Sequence, residues 1–178
     1  AAAPVKFNAT SSPSAWVYRE DLSMEAREPT GMYFEDFEIG QTYKTPRRTI
    51  TSTDIVNFAN LSGDYNAPHV DWEFCKQQSY GEPIAHGPLI LAIAGGLSCQ
   101  SGINDGTVIA MLGLDEWRIH KPVKHGDTIE VVTTPTEKRL SSKGDQGIVT
   151  TKRDVMNQHG EVVHSMKLTS LYRCRPNA

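Results

Sequence analysis

Cysteine is scarce: Cys75, Cys99 and Cys174 are the only 3 in 178 residues. Their number is odd, and they form neither a C-x-x-C pair nor a zinc-ligand spacing. That argues against a disulfide scaffold and fits a reducing compartment, so a cytoplasmic location is expected. Long apolar runs are also missing. The longest, Pro88 to Leu97, is about half of the ~20 residues that span a bilayer, and no membrane partner is expected. Neither charge sign dominates, with 18 Lys and Arg against 21 Asp and Glu and a formal net charge of -3. The basic residues are scattered rather than gathered in a stripe, so a nucleic-acid partner is not expected either. There is no G-x-S-x-G elbow for a serine hydrolase and no internal repeat.

What is present suits one domain, since chains of this length bury a sizeable core. Residues 1–31 lack an apolar h-region and carry Arg19, Glu20, Asp21, Glu25, Arg27 and Glu28, which does not read as a secretory signal. They are expected to be an appendage, with the folded domain over 32–178 starting at Met32-Tyr33-Phe34. Thr42 to Ile50 reads as an edge strand broken by Pro46. Thr51 and Asp54 open a helix with Ile55, Phe58, Ala59 and Leu61 on one face, and Gly63 ends it. Asp71 caps a second helix running through Trp72, Phe74 and Cys75 to Gly81. A third starts at Gly87-Pro88, with proline in the first turn. It is apolar nearly all round and must be covered on all sides, and Gly95-Gly96 would admit another backbone. Strands are expected over Thr107 to Leu114, Glu116 to His120, Thr128 to Thr136, Gly147 to Met156 and Glu161 to Tyr172. One buried apolar helix followed by long antiparallel strands predicts an α+β fold in which the sheet curls around that helix, as in a hot-dog domain. The strand periods also permit an open sheet with helices on one face.

The functional groups concentrate between the first two helices, in Gly63-Asp64-Tyr65-Asn66-Ala67-Pro68-His69-Val70-Asp71. Residues five apart on a helix point about 140° away from each other, so Asp64 and His69 converge only if the chain is irregular here. Gly63 and Pro68 favour that. Near neutral pH an ordinary Asp (pKa about 3.9) is ionised and an ordinary His (about 6.5) largely neutral, a pair able to hold one water and move its protons. A purely structural loop is the competing reading, because Asp and Asn after a helix often make Asx turns and Asp71 has a capping role. The second motif, Ile84-Ala85-His86-Gly87-Pro88-Leu89, leads into the apolar helix. Its first amides have no intrahelical acceptor, and Gly87 leaves its own N–H unobstructed, as a donor to a developing oxyanion must be. A sharp turn into Pro88 explains Gly87 equally well, and His86 alone reads as a turn or supporting residue.

Taken together, Phe58-Ala59-x-Leu61-Ser62-Gly63-Asp64-Tyr65-Asn66-x-x-His69-x-Asp71 and Ile84-Ala85-His86-Gly87-x-Leu89 resemble the MaoC-like dehydratase family, which includes (R)-specific enoyl-CoA hydratases. Pro122-Val123-x-x-Gly126-Asp127 is a weaker echo, and the likeness covers roughly Tyr33 to Tyr172. It implies a hot-dog fold and a homodimer or dimer of dimers. It also implies hydration of a 2-enoyl thioester to a 3-hydroxyacyl thioester, or the reverse. In that family pattern Asp64 and His69 activate the water and the Gly87 amide receives the thioester oxygen. Asn66 would orient the loop, and Asn66 and His86 would border the substrate. The substrate would be an acyl-CoA, with no dissociable cofactor and no metal. Many members read Asn-Pro-x-His where this chain has Asn66-Ala67-Pro68-His69, so the proline is displaced by one.

Two other readings remain. His69-x-Asp71 with His86 spells the His-x-Asp…His pattern of a mononuclear iron site. A hot-dog thioesterase or a non-catalytic acyl-binding module would share the same scaffold.

Overall fold

The computed structural model describes residues 28–176. Most of the expected appendage lies outside the described residues. At its described end Thr30 Oγ1 donates to Asp105 and Gly31 N donates to Asp105 O at 2.8 Å.

Two short strands, β1 (Tyr43–Lys44) and β2 (Arg48–Thr49), flank Pro46 and both pair with the later strand Thr128–Leu140. Proline has no N–H to give a ladder, so one broken edge strand is the outcome the sequence predicts. The first helix, α1 (Ser52–Ser62), starts at a capping box. Asp54 N donates to Thr51 Oγ1 and Thr51 N to the Asp54 carboxylate, while Gly63 closes the helix at φ 76°. Ile55 and Ala59 are buried, but Leu61 is 83% exposed. It sits six residues after Ile55, which turns it about 120° off the buried face.

One helical turn, α2 (Ala67–Val70), follows, then α3 (Trp72–Cys75), capped by Asp71, whose Oδ1 accepts from Phe74 N at 2.9 Å. The second helix is therefore shorter than the expected run to Gly81. Helix α4 (Gly87–Gln100) is the long apolar one. Its Leu89, Ile90, Ile93, Ala94 and Leu97 pack on Val123, Ile129, Val131, Val155, Val163 and Met166 of the sheet side. Fully burying each of the larger aliphatic side chains contributes on the order of 1.5–3 kcal/mol.

Four long strands complete the domain: β3 (Val108–Ile119), β4 (Thr128–Leu140), β5 (Gln146–Met156) and β6 (Val162–Arg173). The antiparallel order is β1-β4-β5-β6-β3, with β2 also on β4. This is the hot-dog arrangement, a curled antiparallel sheet around α4. Sequence reading splits β3 in two at Asp115; the chain instead stays in one strand through a bulge between Asp115 and Arg118, where Glu116 takes φ 51°. A bulge adds a residue and twist without ending the ladder.

Two surfaces differ from the fully covered core that the sequence suggests. Pro88, Ala92, Gly95, Gly96 and Cys99 of α4 are exposed or open, and nothing lies within 4 Å of a Cβ built on Gly95 or Gly96. The backbone approach expected at that pair does not occur within the described residues of one chain. Strand β3 forms a sheet edge and exposes Val108, Ile109, Met111 and Leu112.

At the far end of the sheet the Phe34 ring covers β5. A Cβ on Gly147 would lie 2.0 Å from it. Gly147→Ala is therefore expected to lower stability by about 1–3 kcal/mol through overpacking. Urea denaturation should show a lower midpoint at an unchanged slope; an unchanged midpoint would contradict the packing.

Candidate functional site

The loop between α1 and α2 places a carboxylate opposite an imidazole. Asp64 and Asn66 are irregular, as expected, but Ala67–Val70 is helical rather than loop. Pro68 does not prevent this, because it falls in the first turn, where an N–H has no acceptor. That turn brings His69 back towards Asp64, and His69 Nε2 stands 3.9 Å from Asp64 Oδ2. The separation is too long for a direct hydrogen bond, yet one water with bonds of about 2.8 Å reaches both atoms.

Each member of the pair is held from behind. His69 Nδ1 lies 2.8 Å from the Ile84 carbonyl oxygen. A carbonyl only accepts, so Nδ1 carries the proton, and in the neutral ring Nε2 keeps its lone pair facing Asp64. Asp64 Oδ1 accepts from the Asn66 amide N at 3.3 Å and from Asn66 Nδ2 at 2.6 Å. The backbone donor of Asn66, followed by its side chain and the nearby His69 and His86, holds the Asp64 carboxyl below its ordinary range despite some desolvation.

His86 sits beneath the pair. It is 1% exposed, and its Nε2–H donates to the Asp64 carbonyl oxygen at 2.9 Å. Its ring stacks on His69, with centroids 3.7 Å apart, and Phe58 covers it at 5.1 Å. His86 Nδ1 is buried without a hydrogen-bond partner. So His86 fixes the Asp64 backbone and the plane of His69.

Gly87 follows His86 as the first residue of α4. A Cβ there would lie 2.5 Å from Ile119 Cδ1 and 3.4 Å from the Trp117 ring. Those two side chains, from β3 around the bulge at Glu116, fill the space that a side chain at position 87 would need. Trp117 Nε1 reaches His164 Nδ1 at 3.4 Å, and burial, with His120 nearby, pushes the His164 pKa down to about 4, keeping it a neutral acceptor. Neither side chain has a sequence signal tying it to Gly87, because the contact depends on the bulge. Nor does the Ile84 carbonyl, since every residue type carries one.

The iron-type set does not assemble as the sequence pattern spells it. Asp71 is occupied as the α3 cap, whereas the residues whose donor atoms lie within 4.8 Å of one another are Asp64, His69 and His86. In that group His69 Nδ1 and His86 Nε2 already donate to backbone carbonyls.

Removing the Asn66 side chain deletes one of the two donors on Asp64 and leaves the amide. Asn66→Ala is expected to raise the Asp64 pKa part of the way to an ordinary carboxylate, read from its carboxyl carbon shift against pH. An unmoved titration would show that Asn66 does not hold the carboxylate.

The MaoC like domain matches residues 35–157. Protein MaoC of Klebsiella aerogenes is 39% identical over 125 residues, 70% of this chain and 37% of that protein. The 3-hydroxybutyryl-CoA dehydratase of Methylorubrum extorquens is 35% identical over 100 residues, 56% of this chain and 61% of that protein. This chain thus spans less than two thirds of either relative. The crystal structure of the monoamine oxidase regulatory protein from Archaeoglobus fulgius superposes with a TM-score of 0.75 at 38% identity, covering 82% of this chain and 97% of that one. With the Asp64, Asn66, His69 and Gly87 pattern inside the matched segment, the chain belongs to the MaoC-like dehydratase domain family.

Proposed function

We propose that this protein reversibly hydrates a 2-enoyl thioester, of the acyl-CoA type, to the 3-hydroxyacyl thioester. The observation that carries the reading is the pairing of two acceptors, Asp64 Oδ2 and His69 Nε2, 3.9 Å apart on held side chains. A water donating to both turns its oxygen lone pairs outward. With C3 of the enoyl group in front, that oxygen bonds to C3 while a proton passes to the Asp64/His69 pair. The C2=C3 π electrons move towards the thioester carbonyl, whose oxygen gains negative charge at the Gly87 amide. Returning the proton to C2 completes the addition. The imidazolium formed meanwhile faces the Asp64 carboxylate, and a coupled pair of this kind shares the proton. His86 and Asn66 act as positioning residues.

The likeness to a 3-hydroxybutyryl-CoA dehydratase supports this class of chemistry. No dissociable cofactor is required. The three free cysteines are in keeping with a cytoplasmic location, which belongs to the same proposal. Among the described residues no helix is long and apolar enough to cross a membrane.

The test is crotonyl-CoA, followed both by loss of enoyl absorbance and by free thiol. Absorbance is expected to fall without thiol release, and chelator should leave the rate unchanged. Asp64→Asn and His69→Ala should each lower kcat by about 10²–10⁴-fold with little change in unfolding midpoint. Near-normal turnover in both variants would falsify the mechanism; thiol release would point to a thioesterase, and chelator-sensitive activity with stoichiometric iron to the metal reading.

A homodimer, or a dimer of dimers, is part of the same proposal. Its support is the long apolar edge of β3, with Met111 66% and Leu112 52% exposed, together with the open small-residue face of α4. An uncovered strand edge presents unpaired backbone donors and acceptors that a second copy can complete. Analytical ultracentrifugation should give an even multiple of the chain mass, and Met111→Lys with Leu112→Glu should shift it to the monomer; a monomeric wild type would overturn the assembly.

A further inference from the structure

Asp64, His69 and His86 each bring a ligand atom within 4.8 Å of the other two. The water-holding pair uses only two of these side chains, yet the third is dressed as a ligand as well. Both imidazoles give their N–H to a backbone carbonyl, His69 Nδ1 to Ile84 at 2.8 Å and His86 Nε2 to Asp64 at 2.9 Å. A metal-bound histidine is almost always held in this way, because the outer hydrogen bond fixes the tautomer and leaves the second nitrogen its lone pair. Here the second nitrogens are His69 Nε2, 3.9 Å from Asp64 Oδ2, and His86 Nδ1. His86 is 1% exposed, and among the described residues its Nδ1 has no hydrogen-bond partner. A buried acceptor left unmatched is costly, and a cation relieves it. The Asn66 amide and side chain hold the Asp64 carboxyl below its ordinary range, so the third ligand is an anion at neutral pH.

We propose that Asp64, His69 and His86 form a binding site for a zinc ion, and that the ion blocks turnover reversibly by taking the place of the water between Asp64 and His69. Two imidazole nitrogens and one carboxylate oxygen suit zinc, whereas magnesium and calcium call for oxygen ligands. Three protein ligands leave a fourth position open, and the Asp64 side chain, 39% exposed, gives the ion a way in from solvent. The two rings are stacked, with centroids 3.7 Å apart and planes inclined by 25°. They must splay to aim both lone pairs at one ion. That work keeps the affinity below that of a dedicated structural zinc site, as suits an ion that comes and goes. The binding rests on these three side chains alone; the blocking effect rests on the hydration reading.

The experiment titrates zinc into protein first stripped of metal by chelator, read by calorimetry and by the ¹⁵N shifts of the labelled histidine rings. One zinc per chain is expected, with a micromolar Kd, and the His69 Nε2 and His86 Nδ1 resonances should both move. Asp64→Asn and His86→Gln should each weaken binding by about 10–100-fold. Asp64 lies at a half-exposed position, so its variant keeps the test decisive where the buried His86→Gln protein does not fold. With crotonyl-CoA as substrate, turnover should vanish at the zinc concentration that saturates the calorimetric site, and chelator should restore the full rate. Zinc binding that both variants leave unchanged would place the ion elsewhere, at a surface histidine or the exposed Cys99, and overturn the site. Zinc held by the three residues with an unchanged rate would overturn the block. Zinc held there by a protein that turns over no thioester even when stripped of metal would sink the hydration reading and leave the metal site standing.

Discussion

The site depends on one hydrogen bond, from His69 Nδ1 to the Ile84 carbonyl at 2.8 Å. It fixes which ring nitrogen carries the proton and therefore that Nε2 faces Asp64 as an acceptor. Without it, the imidazole could turn a donor towards the carboxylate and close a direct ion pair, leaving no place for a water that donates to both. The acceptor is a backbone atom in a segment pinned to Pro68 on one side and Val123 on the other. Its position is set by the fold rather than by a rotamer.

Asp64 is fixed by complementary means. Asn66 engages its carboxylate and His86 its carbonyl, so side chain and backbone are both immobilised by neighbours in the same motif pair. His86 is also the residue immediately before α4, which couples the loop to the start of the buried helix. The helix packs on the sheet through Leu89, Ile90 and Ile93, and Trp117 and Ile119 close in on its first residue where only a glycine fits. The core thus ties the start of α4 to the loop that carries Asp64 and His69.

Much of this was legible in the residues. Thr51, Asp54 and Gly63 mark α1 through capping chemistry that acts within one turn, and the apolar α4 follows from its composition and Pro88. Asp64, Asn66, His69 and Gly87 stand out because two polar motifs sit at helix boundaries, and the family resemblance joins them. Two features were not legible for physical reasons. Pro68 starts a helical turn instead of blocking one, since its effect depends on its place in the turn. The bulge at Glu116 keeps β3 continuous because β6 supplies a ladder across it, which local propensity does not register. Asp71 reads in the sequence both as a helix cap and as part of a metal pattern, and it is the cap of a four-residue helix. Coverage of the open α4 face and the β3 edge depends on surfaces beyond a single chain.

The protonation of His69 is the most direct test of the whole arrangement. In ¹⁵N-labelled protein at neutral pH, long-range nitrogen–proton correlation spectra should show the His69 ring as the Nδ1–H tautomer, with Nε2 at the shift of an unprotonated nitrogen. An Nε2–H tautomer would mean that the ring offers a donor to Asp64, and the water-activating pair would not exist as described.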